Sequence, residues 1–234
     1  MLNITLDARL SAVASLVRSG SVVADIGTDH AYLPSFLVQN GICPGAIAAD
    51  IREMPLGSAR RTIDACELGG KINTVLSDGL DEIKKGECDD VVLAGMGGEL
   101  IVSILERTPW IFDSSVRIIA QPMSHHEDVR RFFYENGFEI VGEVCAEDKR
   151  HCYCVIAAQF NGNKCELSPA KIYVGTLVGK TDSCTNKFLD KQFSRIKKRY
   201  DALCASGGDE GEINSLRSIL EDFVKMRGNA YDNG

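Results

Sequence analysis

Several features that would mark a membrane, secreted or metal-dependent protein are missing from this chain. No apolar run in its 234 residues approaches the roughly 20 that a bilayer-spanning helix needs. Residues 1 to 20 lack the basic start and apolar block of a secretory signal. The nine cysteines, at positions 43, 66, 88, 145, 152, 154, 165, 184 and 204, are odd in number and scattered, with no C-x-x-C pair. They read as free thiols in a reducing compartment, so the cytosol is the expected location. Cys152 and Cys154 flank Tyr153 and would share a strand face, but no second Cys or His pair follows at ligand spacing. Packing is therefore the expectation for them, and no metal is expected.

Positive charge is also short overall: 26 Lys and Arg stand against 33 Asp and Glu, a net charge of −7. At first sight this argues against a nucleic-acid partner, because phosphate binding depends on Lys and Arg. Its distribution changes that view. Between Lys180 and Tyr200 seven basic residues face only Asp182 and Asp190, a local excess of +5. A basic element thus sits on an acidic body. The 44% apolar and 25% charged content is that of a soluble globular protein. The length allows one full domain with a smaller appendage.

Residues 6 to 19 carry Leu6, Leu10, Val13 and Val17 at spacings of 4, 3 and 4, which predicts an amphipathic helix ended by Gly20. A strand over 21–26 follows, then a turn at Gly27, a helix over 31–39 and a strand over 46–49 leading into Asp50. A helix with Pro55 in its first turn is predicted to reach Leu68, with Gly69-Gly70 as its stop. The third strand, 72–76, leads into Ser77-Asp78-Gly79, a short helix is predicted near 80–85, and 90–95 is a fourth strand. After Met96-Gly97-Gly98 come a helix to Arg107, a strand over 116–121, and a helix opened by Ser124 with Glu127 three residues on, a capping-box pattern. Five strand–helix units in succession predict a parallel, doubly wound α/β sheet.

The pattern then changes. Strands over 138–146 and 151–160 are joined only by Glu147-Asp148-Lys149-Arg150, so they must be antiparallel neighbours. A parallel run finished this way resembles the Rossmann-like, seven-stranded sheet of S-adenosylmethionine-dependent methyltransferases. After Asn161-Gly162-Asn163 the strand signal stops. Leu189, Phe193, Ile196, Tyr200 and Leu203 form one helical stripe and Ile213, Leu216, Leu220 and Phe223 another, separated by Ser206-Gly207-Gly208-Asp209. An antiparallel helical hairpin is expected, too short to stand alone and so leaning on the sheet. The domain division predicted is 1–160 and 161–234.

Ligands of open α/β sheets bind beyond the carboxyl ends of the strands. Asp25, Gly27, Asp29 and His30 fall after the first strand, Asp50 after the second, Asp78 and Gly79 after the third, and Gly95, Met96 and Gly97 after the fourth. Gly27 admits close backbone approach, and the helix that follows offers N–H groups to an anion such as a carboxylate. Asp50 could accept from ribose hydroxyls and Asp78 from an adenine amino group. Each has a plainer reading alone: Asp25 or Asp50 could cap a helix, Asp78-Gly79 could be a turn, and Gly97-Gly98 could serve strand–helix packing. His30, His125 and His126 could be structural. Their arrival in order at successive strand ends favours one ligand. A dinucleotide is disfavoured, because G-x-G-x-x-G is absent and a pyrophosphate would meet the Asp29 carboxylate.

D-I-G-T-D-H-A-Y-L-P (25–34), A-G-M-G-G (94–98), Q-P (121–122) and L-D-A-R-L (6–10) closely resemble the bacterial tRNA (adenine-N1)-methyltransferases acting on adenine 22 of the D-arm. The resemblance covers nearly the whole chain. It implies S-adenosylmethionine as cofactor and tRNA as partner, with a helical C-terminal domain that helps to hold the RNA. By motif it puts Asp25, Gly27, Asp29 and His30 at the methionine end, Asp50 at the ribose, Asp78 and Gly79 at the adenine, and Gly95–Gly97 beside the reacting base. The Asn-Pro-Pro-Tyr type motif of many adenine methyltransferases is missing here, which suits a ring nitrogen better than the exocyclic amine. The resemblance does not fix the catalytic group; Asp29, with His30 beside it, is the expected one. Lys187, Lys191, Arg195 and Lys198, at spacings of 4, 4 and 3, form the stripe expected to meet RNA phosphates. A methyltransferase with another substrate, or a non-catalytic nucleic-acid-binding module, remain the alternatives.

Overall fold

Seven strands form one sheet in the computed structural model, which describes residues 2–149, 151–164 and 168–231. In chain order they are β1 (Val23–Ile26), β2 (Ala46–Asp50), β3 (Ile72–Leu76), β4 (Asp90–Gly97), β5 (Arg117–Ser124), β6 (Phe138–Asp148) and β7 (His151–Phe160). Across the sheet the order is β3-β2-β1-β4-β5-β7-β6. The pairs among β1–β5 are parallel, while β7 runs antiparallel to both β5 and β6.

Alternation along the strands divides the apolar side chains between two layers. Val23, Ala46, Ala48, Val92 and Ile119 face one, and Ala24, Ile47, Val91, Leu93 and Ile118 face the other. Helices α1 (Ala8–Ala14), α2 (Tyr32–Gln39) and α3 (Glu53–Ala65) cover the first through Val13, Leu37 and Ile63. Helices α4 (Gly98–Glu106) and α5 (His126–Glu135) cover the second through Ile101, Leu105, Val129 and Phe133.

A single turn, α6 (Lys171–Val174), leads to the long helices α7 (Ser183–Ser206) and α8 (Glu210–Tyr231). Asp182 caps α7 by accepting from the Thr185 N–H at 2.8 Å, and Gly207 at φ +65° ends it. Ion pairs Arg199–Glu212 near the turn and Arg227–Asp190 at the far end make the two helices antiparallel. Phe188, Leu189, Ile196, Leu216 and Phe223 are buried in the same core layer as α4 and α5. At about 1.5–3 kcal/mol for each large apolar side chain buried, this seats the hairpin on the sheet. Phe193 instead packs edge-on against Phe223 at 5.4 Å, so α7 splits its apolar surface between the sheet and α8.

A buried ion pair ties this joint. Arg130 on α5 donates from Nε to Glu143 Oε1 on β6 at 2.7 Å, with both side chains fully buried. Arg130 Nη1 also donates to the carbonyls of Ile172 (3.1 Å) and Tyr173 (3.0 Å). Glu143 Oε2 accepts from the Thr176 hydroxyl at 2.9 Å, and the Glu143 carbonyl accepts from Lys180 Nζ. Sheet, α5 and the segment entering α7 therefore share one polar centre.

Several boundaries differ from those the sequence predicts. Helix α1 stops at Ala14, because the chain turns so that Arg18 meets the buried Asp90 through its N–H (2.8 Å) and Nε (2.7 Å). Helix α3 stops at Ala65, short of Leu68, because Glu67 takes a left-handed φ of +59°. Residues 80–85 are turns, not a helix: Ser77 Oγ donates to the Gly79 carbonyl and accepts from the Glu82 N–H, closing the loop locally. The Ser124–Glu127 capping box is absent, because Ser124 is the last residue of β5 and left-handed His125 precedes α5 without a side-chain cap. Strand β4 runs on to Gly97 through a bulge at Gly95. Of the predicted 147–150 turn, residues 147 and 148 belong to β6, while Arg150 lies outside the described residues, as does Cys165. The other eight cysteines are free thiols.

Candidate active site

Strand order reverses direction at β1, which has β2 on one side and β4 on the other. The crevice beyond their carboxyl ends is the place where an α/β sheet of this kind takes its ligand. A cleft of about 250 Å³ lies there, lined by Asp7, Arg9 and Leu10 from the start of the chain, by residues 25 and 27–33, and by Ala94. Gly27, at φ +75°, turns the chain away from β1, and its N–H donates to the Ala49 carbonyl at 2.8 Å. A Cβ at Gly27 would lie 2.4 Å from Met96 Cε, so the turn after β1 packs against the Met96 side chain near the end of β4. Helix α2 starts behind left-handed Ala31 with no side-chain cap; Pro34 has no N–H and that of Ser35 donates to the Ala31 carbonyl, so the N–H groups of Tyr32 and Leu33, two residues that line the cleft, are left without a helical partner.

Asp25 is buried, and burial raises its carboxyl to about 6 against the partial opposition of a Thr28 hydrogen bond and the Arg9 charge. Asp29 is 76% exposed at the mouth, 3.3 Å from His30 Nε2. The His30 ring stacks on Tyr32 at 5.2 Å and an interplanar angle of 10°. Gly95 is the extra residue of the β4 bulge, and bulges of this kind re-aim backbone beside active sites. Its N–H donates to Gln121 Oε1 at 3.1 Å, and Arg9 Nη1 donates to the same oxygen at 3.0 Å. Helix α1, the bulge and the end of β5 are thereby held together over the cleft.

The structure thus brings Asp25, Gly27, Asp29, His30 and Met96 together, with Gly95 and Gly97 beside them. Asp50 is buried at the end of β2, where it accepts from the Arg52 N–H at 2.8 Å, and it does not line the cleft. Asp78 also lies outside it, its carboxylate 2.5 Å from Arg107 Nη2. Gly79 is at φ +60°, where a Cβ would press on Arg107 and Ile104 at 2.9 Å. Arg9, Thr28, Tyr32 and Gln121 were not assigned roles from sequence. Gln121, a lone polar residue ending an apolar strand, could have been found by the rule that picked Asp25 and Asp50. Arg9, a half-buried residue of the first helix, gave no such signal.

The basic stripe is divided. Lys191, Arg195 and Lys198 line a second, larger groove, whereas Lys187 lies outside it in an ion pair with Glu147 at 2.7 Å. Arg195 also pairs with Glu127 at 2.8 Å. His125 lies 3.5 Å from Glu99, and His126 sits edge-on to Phe188 at 5.0 Å, with burial holding its pKa down to about 3. Among the described residues no group of three or more His, Cys, Asp or Glu side chains could hold a metal ion, and no helix is long and apolar enough to cross a membrane.

The sheet order, the antiparallel β7 and the strand-end acceptors define a Rossmann-like methyltransferase, and residues 6–156 match the family model described as a methyltransferase domain. The chain is 38% identical, over 100% of both sequences, to the tRNA (adenine(22)-N(1))-methyltransferase of Bacillus subtilis (strain 168). It belongs to the tRNA (adenine(22)-N(1))-methyltransferase family. The crystal structure of the B. subtilis M1A22 tRNA methyltransferase TrmK superposes with a TM-score of 0.82 at 31% identity, covering 97% of this chain and 99% of that one. The Streptococcus pneumoniae protein Sp1610, solved in complex with S-adenosyl-L-methionine, matches with a TM-score of 0.79 at 29% identity, covering 92% of this chain and 100% of that one.

Proposed function

We propose that this chain transfers the methyl group of S-adenosylmethionine to N1 of adenine 22 in bacterial tRNA, in the cytosol. The observation that carries this reading is a cleft that joins the Asp25 and Asp29 carboxylates to the N-terminus of α2, beside a groove rimmed by Lys191, Arg195 and Lys198.

The residues present suit the cofactor. It carries a carboxylate, which the free N–H groups of α2 can receive, and cationic groups, which the Asp25 and Asp29 carboxylates can receive. Gly27 leaves room that a Cβ would fill. Asp50, buried with its second oxygen available, suits ribose hydroxyls. Asp78 would reach an adenine amino group while sharing its carboxylate with Arg107. When bound, the cofactor supplies an electrophilic methyl group.

Adenine N1 attacks through its own lone pair and has no proton to lose, so the protein's main task is alignment. Holding two reactants in line is worth roughly 7–11 kcal/mol. The Arg9–Gln121–Gly95 network fixes the wall against which the base would lie. Asp29, oriented by His30, accepts from the adenine amino group and offsets the positive charge of the methylated ring. Because N1 lies on the pairing edge, the base must leave its stack, at a cost of a few kcal/mol. Residues 161–234 form the RNA-holding domain, with residues 1–160 as the methyltransferase domain. Incubation with labelled S-adenosylmethionine and unmodified bacterial tRNA, followed by digestion to nucleosides, should give label in 1-methyladenosine; label absent from that nucleoside would overturn the proposal.

A further inference from the structure

The groove beside the basic stripe has a volume of about 520 Å³ and is walled by Pro122–His126 after Gln121, by His151–Tyr153 at the start of β7, and by α7 between Phe188 and Lys198. That volume suits one small ligand or nucleotide. Its position follows from the sheet register: Met96 pairs with Pro122 and Gly97 with Ser124, so the groove begins where the wall of the methyl-transfer cleft ends. β7 runs antiparallel to β5 and carries its first residues past the carboxyl ends of the parallel strands. On that overhang the His151 and Tyr153 rings lie side by side, centroids 6.2 Å apart and tilted by 33°.

The chemistry of the walls is one-sided. No Asp or Glu is among the described residues lining the groove, on a chain whose net charge is −7. Lys191, Arg195 and Lys198 form one rim, and no ion pair engages Lys191 or Lys198 among the described residues. The opposite side carries half-exposed Met123 and the partly exposed ring of Tyr153, while Phe188 of α7 is buried beneath the groove. A second groove of about 490 Å³ along the hairpin has mixed walls, with Arg131 and Arg199 beside Glu135 and Glu212. Only the first combines an aromatic platform with unopposed cations, the pattern by which proteins hold unpaired nucleotides.

Resting on the reading that tRNA is the substrate, we propose that this groove seats the unpaired nucleotide adjoining the methylated adenine, its base on Tyr153 and its phosphate toward Lys191 and Lys198. The RNA then enters from the β7–α7 side, and the flanking nucleotide, not the hairpin alone, fixes which adenine reaches the cleft. Stacking on an aromatic side chain is lost in Tyr153→Ala and Tyr153→Leu and kept in Tyr153→Phe. The first two should raise the KM for tRNA roughly five- to a hundredfold, while Tyr153→Phe and the affinity for S-adenosylmethionine should match wild type. Leu retains bulk, so a loss shared by Ala and Leu but absent in Phe is not a packing defect. Wild-type methylation measured alongside separates the two claims. If wild type forms 1-methyladenosine while all three variants keep its KM, the groove assignment fails and the activity stands; if wild type forms none, both fail. Photocrosslinking of 4-thiouridine-substituted tRNA to wild type should label the 151–160 strand, and label confined to α7 and α8 would overturn the assignment without any variant.

Discussion

Replacing Glu143 by Gln tests how the hairpin is held to the sheet. Glu143 and Arg130 are both fully buried, their charges 2.7 Å apart, and burial would lower the Arg130 pKa were it not for Glu143, whose charge and hydrogen bond raise it overall. A guanidinium is not deprotonated in proteins, so Arg130 stays charged in the variant with neutral partners alone around it: the Ile172 and Tyr173 carbonyls, the Cys154 sulfur and the new amide. Breaking one partner of a buried pair costs about 3–5 kcal/mol. For a chain of this size each kcal/mol moves the midpoint by about 2–4 °C, so thermal unfolding followed by circular dichroism should show a fall of roughly 6–20 °C. Thr176 and Lys180 lose a charged anchor at the entry to α7, so tRNA affinity should fall, while the cofactor cleft, built from β1 and α2, should keep its affinity. The double variant Arg130→Met/Glu143→Leu should recover much of the stability, since apolar residues of similar volume often replace such pairs without loss. A Glu143→Gln midpoint equal to that of wild type would refute the idea that this pair carries the joint.

Three other outcomes follow from the geometry. The Asp25 carboxyl, raised by burial from 3.8 to about 6, ionises in the native protein only above that value, so charging it costs the fold stability as pH rises from about 4 to 6. As pH rises further, through 6, the native carboxylate forms and a cationic ligand gains its partner: S-adenosylmethionine affinity should climb by roughly tenfold or more, and Asp25→Asn should flatten the profile. In Gly98→Ala the new Cβ would sit 2.4 Å from the His125 carbonyl oxygen and 2.7 Å from that of Ser124, backbone atoms that cannot swing aside. About 1–3 kcal/mol of stability should be lost to this crowding, and calorimetry showing none would contradict it. Changing Lys191, Arg195 and Lys198 together to Ala should lessen the salt dependence of tRNA binding by about 2–3 units of slope and spare cofactor affinity; an unchanged slope would remove these residues from the phosphate contacts.

The sheet was legible in the sequence because its parallel strands are short, nearly continuous apolar runs, buried on both faces, and several of its turns carry glycine. The hairpin after Gly137 was legible from the shortness of its link, and the two C-terminal helices from apolar residues at spacings of 3 and 4. Local signals failed where distant contacts decide. Ser124 and Glu127 have capping-box spacing, but pairing with Gly97 keeps Ser124 in β5. The stripe of Lys187, Lys191, Arg195 and Lys198 has helical spacing, yet Glu147 and Glu127, 40 and 68 positions away in the chain, engage two of its members. The strand-end rule found Asp25, Gly27, Asp29 and His30, which meet in one cleft. It could not find Arg9, whose reach to Gln121 spans 112 residues, nor anticipate that Arg107 would occupy the Asp78 carboxylate.

The central claim, methylation of N1 of adenine 22, is tested most directly with paired tRNA transcripts that differ only at that position. With labelled S-adenosylmethionine, the transcript carrying adenine at position 22 should yield labelled 1-methyladenosine, and the transcript carrying guanine there should yield none. Equal label in both transcripts, or none in either, would contradict the account.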